Sequence, residues 1–475
     1  MNLTAPQHRN FLYFITFVAL IRLFLAPMVG LGVDEAHYVL YGLNLDLSYF
    51  DHPPLVGWVE YVFTSVFGIN EFGARVPAII IGFLVSVFLY KLIYNINKKA
   101  KEAFIAVLAL HASFLFNALF IMLMPDTLLF LLILPIIFTV IKLEKTSSLG
   151  MWLLLGILLG VAGLSKYTAV LFIIPIMLYF IIKKRYEFFY TPKIIPAISI
   201  AFLIILPVII WNIQNDWISF TFQSKHVVGA KTINWSGFFS SLAAQLGAYN
   251  PFLVPLAYFG LFKALKDKND TIFLTALFGL VLISFFTYAS LYKPALPHWS
   301  ALFYMLFIPL GVYYMLSYKK YLKFAIGFGL ILSAIAYGEL AFKFIPQPNY
   351  QSLHRDIYGW DKIIKNANKL ITDTDKQALA VTNWTLASRA IYYNKEYNSS
   401  VYLTDNRKDQ FDIWEKNTPI GKNLIVINTH FFKKDIDSFM KCDKVIPHAK
   451  FDIMLNNNKI NTIQLTECKN YQGLR

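Results

Sequence analysis

Cysteine is nearly absent: Cys442 and Cys468 are the two in 475 residues. Two thiols so late in the chain cannot build a disulfide framework or a zinc site. They leave open either one bridge, if this end lies outside the cytoplasm, or two buried thiols. Charge is also scarce, at 15% of residues, where a soluble domain carries roughly 25%. No Walker A loop, dinucleotide fingerprint, His-Glu-x-x-His pair or Gly-x-Ser-x-Gly elbow occurs, and no solenoid or low-complexity repeat. These absences speak against a nucleotide-dependent enzyme and a metalloprotease.

What is present is apolar: 57% of residues are hydrophobic and 17% aromatic. Lipid is therefore the main solvent. Spanning the hydrocarbon takes about 17 to 25 apolar residues, because peptide groups in lipid must pair within a helix. Candidate spans are 11–29, 72–94, 103–120, 127–141, 149–164, 167–182, 194–211, 237–262, 271–288, 299–316 and 321–344, about eleven in all. His8 and Arg9 precede the first run as in a signal peptide, but no small-residue cleavage site follows, so the first span is read as uncleaved.

Lys and Arg stay on the cytoplasmic side and so fix orientation. Lys98, Lys99 and Lys101 follow the second span, Lys142 and Lys145 the fourth, and Lys183, Lys184 and Arg185 the sixth. Lys263, Lys266 and Lys268 follow the eighth, and Lys319, Lys320 and Lys323 the tenth. Every even-numbered exit is basic, which predicts a cytoplasmic N-terminus and an external C-terminus. The same pattern accounts for the net charge of +15 without nucleic acid as a partner.

The opposite side is built differently. Residues 30–71 form a first external loop with apolar stretches too short to cross, suited to helices lying in the interface. Residues 212–236 lie on the same side. From 346 onward the composition turns polar: 378–381 and 424–427 read as buried strands and 385–393 as a helix. The expected architecture is a polytopic α-helical membrane domain over 1–345 and a soluble extracytoplasmic α/β domain over 346–475.

Acids and bases gather on this outer face. Asp34 and Glu35 stand where the first span leaves the membrane. A carboxylate there can take a proton from a hydroxyl, and Asp34 can equally cap an interfacial helix. Asp126, between two spans, is either functional or the cap of the fourth span. His52, Arg75, Lys166, Lys293 and His298 run against the positive-inside trend. Each alone suits a snorkelling or paired residue, and together they suit a phosphate site. Arg22, inside the first span, either snorkels or faces a cavity. Trp58, Trp211 and Trp299 could stack on a sugar, although interface anchoring is the commoner role. Asn383 to Ser388, with Tyr392 and Tyr393, could line an acceptor surface or simply pack.

Six stretches then occur in order: Val-Asp-Glu-Ala-His-Tyr at 33–38, Tyr-Phe-Asp-His-Pro-Pro-Leu-Val-Gly-Trp at 49–58, Glu-Phe-Gly-Ala-Arg-Val-Pro at 71–77, Met-Pro-Asp-Thr at 124–127, Gly-Leu-Ser-Lys-Tyr-Thr at 163–168 and Pro-His-Trp at 297–299. Together they resemble the GT-C glycosyltransferases of the protein mannosyltransferase and aminoarabinose transferase type, the glycosyltransferase family 39-like proteins. The resemblance implies a multi-spanning plasma-membrane fold, a polyprenyl-phosphate-linked sugar as donor, and inverting transfer to an acceptor hydroxyl on a glycolipid, polysaccharide or protein outside the cytoplasm. It implies catalytic acids at Asp34, with Glu35 beside it, and at Asp126. His52, Arg75, Lys166, Lys293 and His298 become the donor-phosphate candidates, and His37, Tyr38, Asp51 and Trp299 the substrate contacts. Aminoarabinose transferases carry a carrier-contacting lysine in the first loop; the matching stretch here has His52, which argues against aminoarabinose as the sugar. No cofactor is expected. A divalent ion among Asp34, Glu35 and Asp126 is conceivable but is disfavoured by the closer family members. The rival class is a lipid-linked sugar transporter or flippase, which calls for charges deep in the membrane and pseudo-symmetric halves. A non-enzymatic assembly protein would leave the ordered motifs unexplained.

Overall fold

The computed structural model describes residues 3–228, 232–415 and 418–475. Its helices, in chain order, are α1 (Arg9–Leu25), α2 (Val33–Leu43), α3 (Leu55–Phe67), α4 (Glu71–Asn97), α5 (Ala100–His111), α6 (Phe114–Leu119) and α7 (Pro125–Thr146). There follow α8 (Leu149–Ser165), α9 (Ile173–Ile182), α10 (Glu187–Tyr190), α11 (Ile194–Gln214), α12 (Ile218–Val228), α13 (Trp235–Tyr249) and α14 (Val254–Ala264). The membrane part ends with α15 (Asp270–Ser290), α16 (Ala301–Tyr314) and α17 (Lys319–Phe342). Helices stand at all of the expected spans, and six are long and apolar enough to cross a bilayer by length and composition.

Two expected spans are broken, and the breaks meet. The chain bends between α5 and α6 and again between α13 and α14, where Asn250 takes a φ of 92°. A carbonyl released by a break cannot be left unpaired at membrane depth. Asn250 Nδ2 supplies the missing donor, to Ala112 O at 3.2 Å and to Ala325 O at 2.9 Å. Gly329 on α17 lies so close to Ala112 that a Cβ would fall 1.9 Å from its carbonyl oxygen.

Helices α2 and α3 form the loop between α1 and α4, the one expected to be external. Gly57 lets them close together, since a Cβ there would meet the Tyr41 and Tyr49 side chains at 2.8 and 2.7 Å. Tyr41 and Tyr49 stack at 3.7 Å between ring centroids. Trp58 Nε1 donates to Asp46 O and Trp211 Nε1 to Asp46 Oδ2, fixing this loop to α11. Arg22 is buried: it donates to Tyr337 and Asn117 and contacts His111, so it does not snorkel.

The C-terminal part holds α18 (Trp360–Asn368), β1 (Gln377–Val381), α19 (Trp384–Tyr393), β2 (Val401–Leu403), α20 (Gln410–Trp414) and β3 (Asn423–Thr429). It continues with α21 (Ile436–Phe439), β4 (Met440–Lys441), β5 (Lys444–Leu455), β6 (Asn458–Lys469) and β7 (Gly473–Leu474). The main sheet runs β2-β1-β3-β6-β5, with β1 parallel to both β2 and β3, and β6 antiparallel to β3 and β5. The expected strands and helix are β1, β3 and α19. A Cys442–Cys468 disulfide joins the chain after β4 to the end of β6. Leu40 of α2 enters this domain's apolar core beside Leu386, Ala387 and Phe411. The domain is thereby seated directly on the α2–α3 loop.

Candidate active site

The starts of α2 and α7 each present an acid. Asp34 lies in the first turn of α2 and Asp126 in the first turn of α7. It is Glu35 rather than Asp34 that folds back to accept the Gly32 N–H, at 2.9 Å, leaving the Asp34 carboxylate uncommitted to capping. At the start of α7, Thr127 Oγ1 takes the Met124 N–H at 3.3 Å, so Asp126 too is spared that role.

Both acids line one cavity of about 230 Å³, with His37, Tyr38, Asp51, His52, Lys166, His298 and Trp299. Nine sequence-selected residues thus meet in one place. Lys166 Nζ sits 2.7 Å from both oxygens of Asp126, forming a bidentate pair that is largely buried. Tyr41 donates to Asp51, and His52 Nε2 stands 3.9 Å from the same carboxylate. His52 Nδ1 is buried and has no partner among the described residues. His37 bridges Tyr41, at 3.1 Å, and Ser388 of the C-terminal domain, at 3.2 Å.

Burial sets the protonation states. It raises Asp34 to about 6, helped by the charges of Asp51 and Glu35. It lowers His37 to about 4, against the pull of Asp51, and it lowers His52 as well. Burial works against the charge of Asp51, yet His52, His37 and the Tyr41 hydroxyl hold it below the usual carboxylate range. An acid near 6 is matched to accepting a proton at neutral pH.

Three expected site residues lie elsewhere. Glu35 and Arg75 are consumed by each other: Arg75 Nε and Nη2 meet the two Glu35 oxygens at 2.7 and 2.9 Å. The rest of the guanidinium donates to the carbonyls of Ala26, Val29 and Gly30. With every donor engaged and both side chains buried, this pair fastens the turn after α1 to α2 and α4, and it does not line the cavity. Lys293, in the loop after α15, does not line it either. Since Glu35 and Asp126 each hold a cation, the three acids do not converge as a ligand set. The described residues contain no cluster of three or more such side chains suited to a metal ion.

Residues not singled out from the sequence close the cavity from above. Phe222 and Gln223 come from α12, and Gln223 Nε2 donates to Asp51 O at 2.6 Å. Arg407, Asp409, Gln410 and Phe411 come from the C-terminal domain, where they join Trp384, which the sequence offers as acceptor surface or as packing. No motif marks them; the available signals were the shared side of 212–236 and the 383–388 stretch, readable as acceptor surface or as packing. Beside the cavity, α8, α9, α11 and the 167–172 turn enclose a separate groove of about 650 Å³ with an almost wholly apolar wall. Lys166 and Thr168 face the cavity while Tyr167 faces the groove.

The architecture and this cavity define a multi-spanning membrane protein of the GT-C fold. The structure of ArnT from Cupriavidus metallidurans bound to undecaprenyl phosphate superposes with a TM-score of 0.68 at 13% identity, covering 96% of this chain and 98% of that one. Its apo form gives 0.66 at 14% identity with the same coverage. A model of the family described as dolichyl-phosphate-mannose-protein mannosyltransferase matches residues 51–211. The lipid A galacturonosyltransferase RgtD of Rhizobium johnstonii is 23% identical over 389 residues, 78% of this chain and 79% of that protein.

Proposed function

We propose that this chain is a membrane glycosyltransferase that moves a sugar from a polyprenyl-phosphate carrier to a hydroxyl of a lipid A-type glycolipid, outside the cytoplasm and with inversion. One observation carries the reading: the uncommitted Asp34 carboxylate shares a cavity with the Lys166–Asp126 pair and His52, and an apolar groove adjoins it at Tyr167. That is the layout required by a reactant with a charged phosphate and a long hydrocarbon tail. The basic even-numbered exits support an extracytoplasmic cavity in the plasma membrane. The relative that acts on lipid A supports a glycolipid acceptor over a polysaccharide or a protein.

In this reaction the acceptor hydroxyl attacks the anomeric carbon from the face opposite the phosphate. Asp34 takes its proton as the new bond forms. The bond from anomeric carbon to phosphate oxygen breaks, and its electron pair leaves with the polyprenyl phosphate. Lys166, His52 and His298 stabilise that growing charge from fixed positions. Asp126 holds the Lys166 ammonium in place, and Tyr38, His37 and Trp299 shape the walls.

The test is transfer of labelled sugar from a polyprenyl-phosphate donor panel to extracted lipid A, polysaccharide and protein acceptors, comparing native protein with Asp34→Asn. Transfer to lipid A by the native protein and its loss in a folded variant is the expected result. Transfer that survives Asp34→Asn removes the base assignment. Movement of an intact lipid-linked sugar between leaflets without transfer would establish the flippase instead.

A further inference from the structure

The arm of the C-terminal domain that closes the cavity carries unmet hydrogen-bonding capacity. Gln410 is 1% exposed and Asp409 6% exposed. Gln410 Oε1 accepts the Phe50 N–H at 2.7 Å, but its Nε2 has no partner among the described residues. Asp409 Oδ1 accepts the Phe411 N–H at 2.9 Å, while its Oδ2 likewise has none. A buried donor or acceptor left unpaired is destabilising, because it gives up its water without gaining a partner. Two on adjacent residues of a cavity wall are placed to pair with a polar ligand. The same wall offers an aromatic platform, Trp384, with the Arg407 guanidinium 5.4 Å from its ring centroid.

We propose that Asp409 and Gln410, beside Trp384 and Arg407, form the subsite that reads the hydroxyl pattern of the donor sugar. A side-by-side donor and acceptor next to an indole face is what a sugar ring requires: hydroxyls to pair and a C–H face to cover. The hydrogen bond from Phe50 N fixes which ring is read. It ties the arm to the residue just before Asp51 and His52, so the subsite neighbours the candidate phosphate groups, and the ring attached directly to the phosphate reaches it. Burial, with Asp405 and Asp412 nearby, raises Asp409 to about 7, so its free oxygen either accepts or gives a hydrogen bond near neutrality. The C-terminal domain then sets donor selectivity, while the membrane domain performs the transfer.

The inference rests on the glycosyltransferase reading, and its test separates the two. Asp409→Asn and Gln410→Glu are isosteric: each keeps the oxygen that pairs with backbone and reverses the character of the free atom. The full-length native protein and both variants, with matched thermal unfolding in detergent, are given polyprenyl-phosphate sugars that differ in one hydroxyl at a time. The expected result is a change of about tenfold or more in the ratio of kcat/KM between two such donors, carried mainly by KM, as loss of a buried hydrogen bond implies. A structural role alone would lower all donors equally and leave the ratio unchanged, and that outcome overturns this inference while the transferase reading stands. Failure of the native protein to transfer any of the sugars overturns both.

Discussion

Replacing Arg75 separates a structural clamp from a phosphate ligand. The guanidinium makes two contacts to Glu35 and three to the carbonyls of Ala26, Val29 and Gly30, at an exposure of 3%. Arg75→Met leaves the Glu35 charge buried without its cation and three carbonyls without donors at the membrane border. Breaking a buried pair by removing one partner costs about 3–5 kcal/mol, a large share of the roughly 5–15 kcal/mol that holds a typical domain. Glu35→Gln strands the opposite charge at a similar cost. In the double variant neither charge is stranded, so its loss falls short of the sum by roughly 0.5–3 kcal/mol. Thermal unfolding in detergent reads the stability, and donor KM and kcat on the folded fraction read the function. An Arg75→Met protein with a native unfolding midpoint but a donor KM raised tenfold would refute the clamp and restore Arg75 as a phosphate ligand.

Lys166→Met strands the buried Asp126 carboxylate, and unfolding should shift downward; Lys166→Met with Asp126→Asn should recover most of the midpoint but not the transfer rate. Recovery of transfer as well would remove Lys166 from the phosphate site. The Cys442–Cys468 bridge, with a separation of 26 residues, stabilises by about 3.5 kcal/mol on the loop-entropy estimate. Cys442→Ser with Cys468→Ser should lower the unfolding midpoint yet leave low-temperature transfer near native, whereas an unchanged midpoint counts against that estimate. Tyr41→Phe removes the hydroxyl that donates to Asp51 and should raise the Asp51 pKa. A carbon-labelled carboxylate followed by NMR reads that directly, and an unmoved titration would show the hydroxyl to be irrelevant to it.

The membrane part was legible because hydrophobic runs of spanning length are a long-range signal, one that survives local ambiguity. The breaks at Ala112 and Asn250 were not, since the amide that satisfies the freed carbonyl lies 138 residues away in the chain. Asp34, Asp126 and Lys166 could be selected because each sits in a short ordered motif at a helix end. Glu35 and Arg75 sit in equally sharp motifs, and sequence cannot tell a charge kept for a ligand from one kept for another charge 40 residues away. Asp409 and Gln410 are illegible for the opposite reason: their proposed role arises only when α20 is laid over the α2–α3 loop. Leu40, an ordinary apolar residue in sequence, is what seats that domain there.

The charges around the cavity require its work to be a compromise in pH. Asp34, Asp51, Asp126 and Asp409 face Lys166 and Arg407, four acids against two cations, and burial keeps His37 and His52 neutral by lowering their pKa. Burial first, and neighbouring carboxylates second, raise Asp34 to about 6 and Asp409 to about 7. A donor phosphate adds negative charge, and groups placed to answer by taking up a proton include His52, whose Nδ1 has no partner among the described residues, and Asp409. Anion binding favours the protonated form of each, so donor KM should fall as pH drops from about 8 toward 6. The proposed base has the opposite need: Asp34 accepts a proton only when ionised, so kcat should fall about tenfold per pH unit below its pKa in the complex, which a bound phosphate lifts above the resting value. The two demands predict a bell-shaped rate profile at limiting donor. Asp34→Asn removes the acid limb with most of the rate, and His52→Gln flattens the dependence of KM on pH. A donor KM independent of pH across this range would show that the phosphate is met by fixed cations alone.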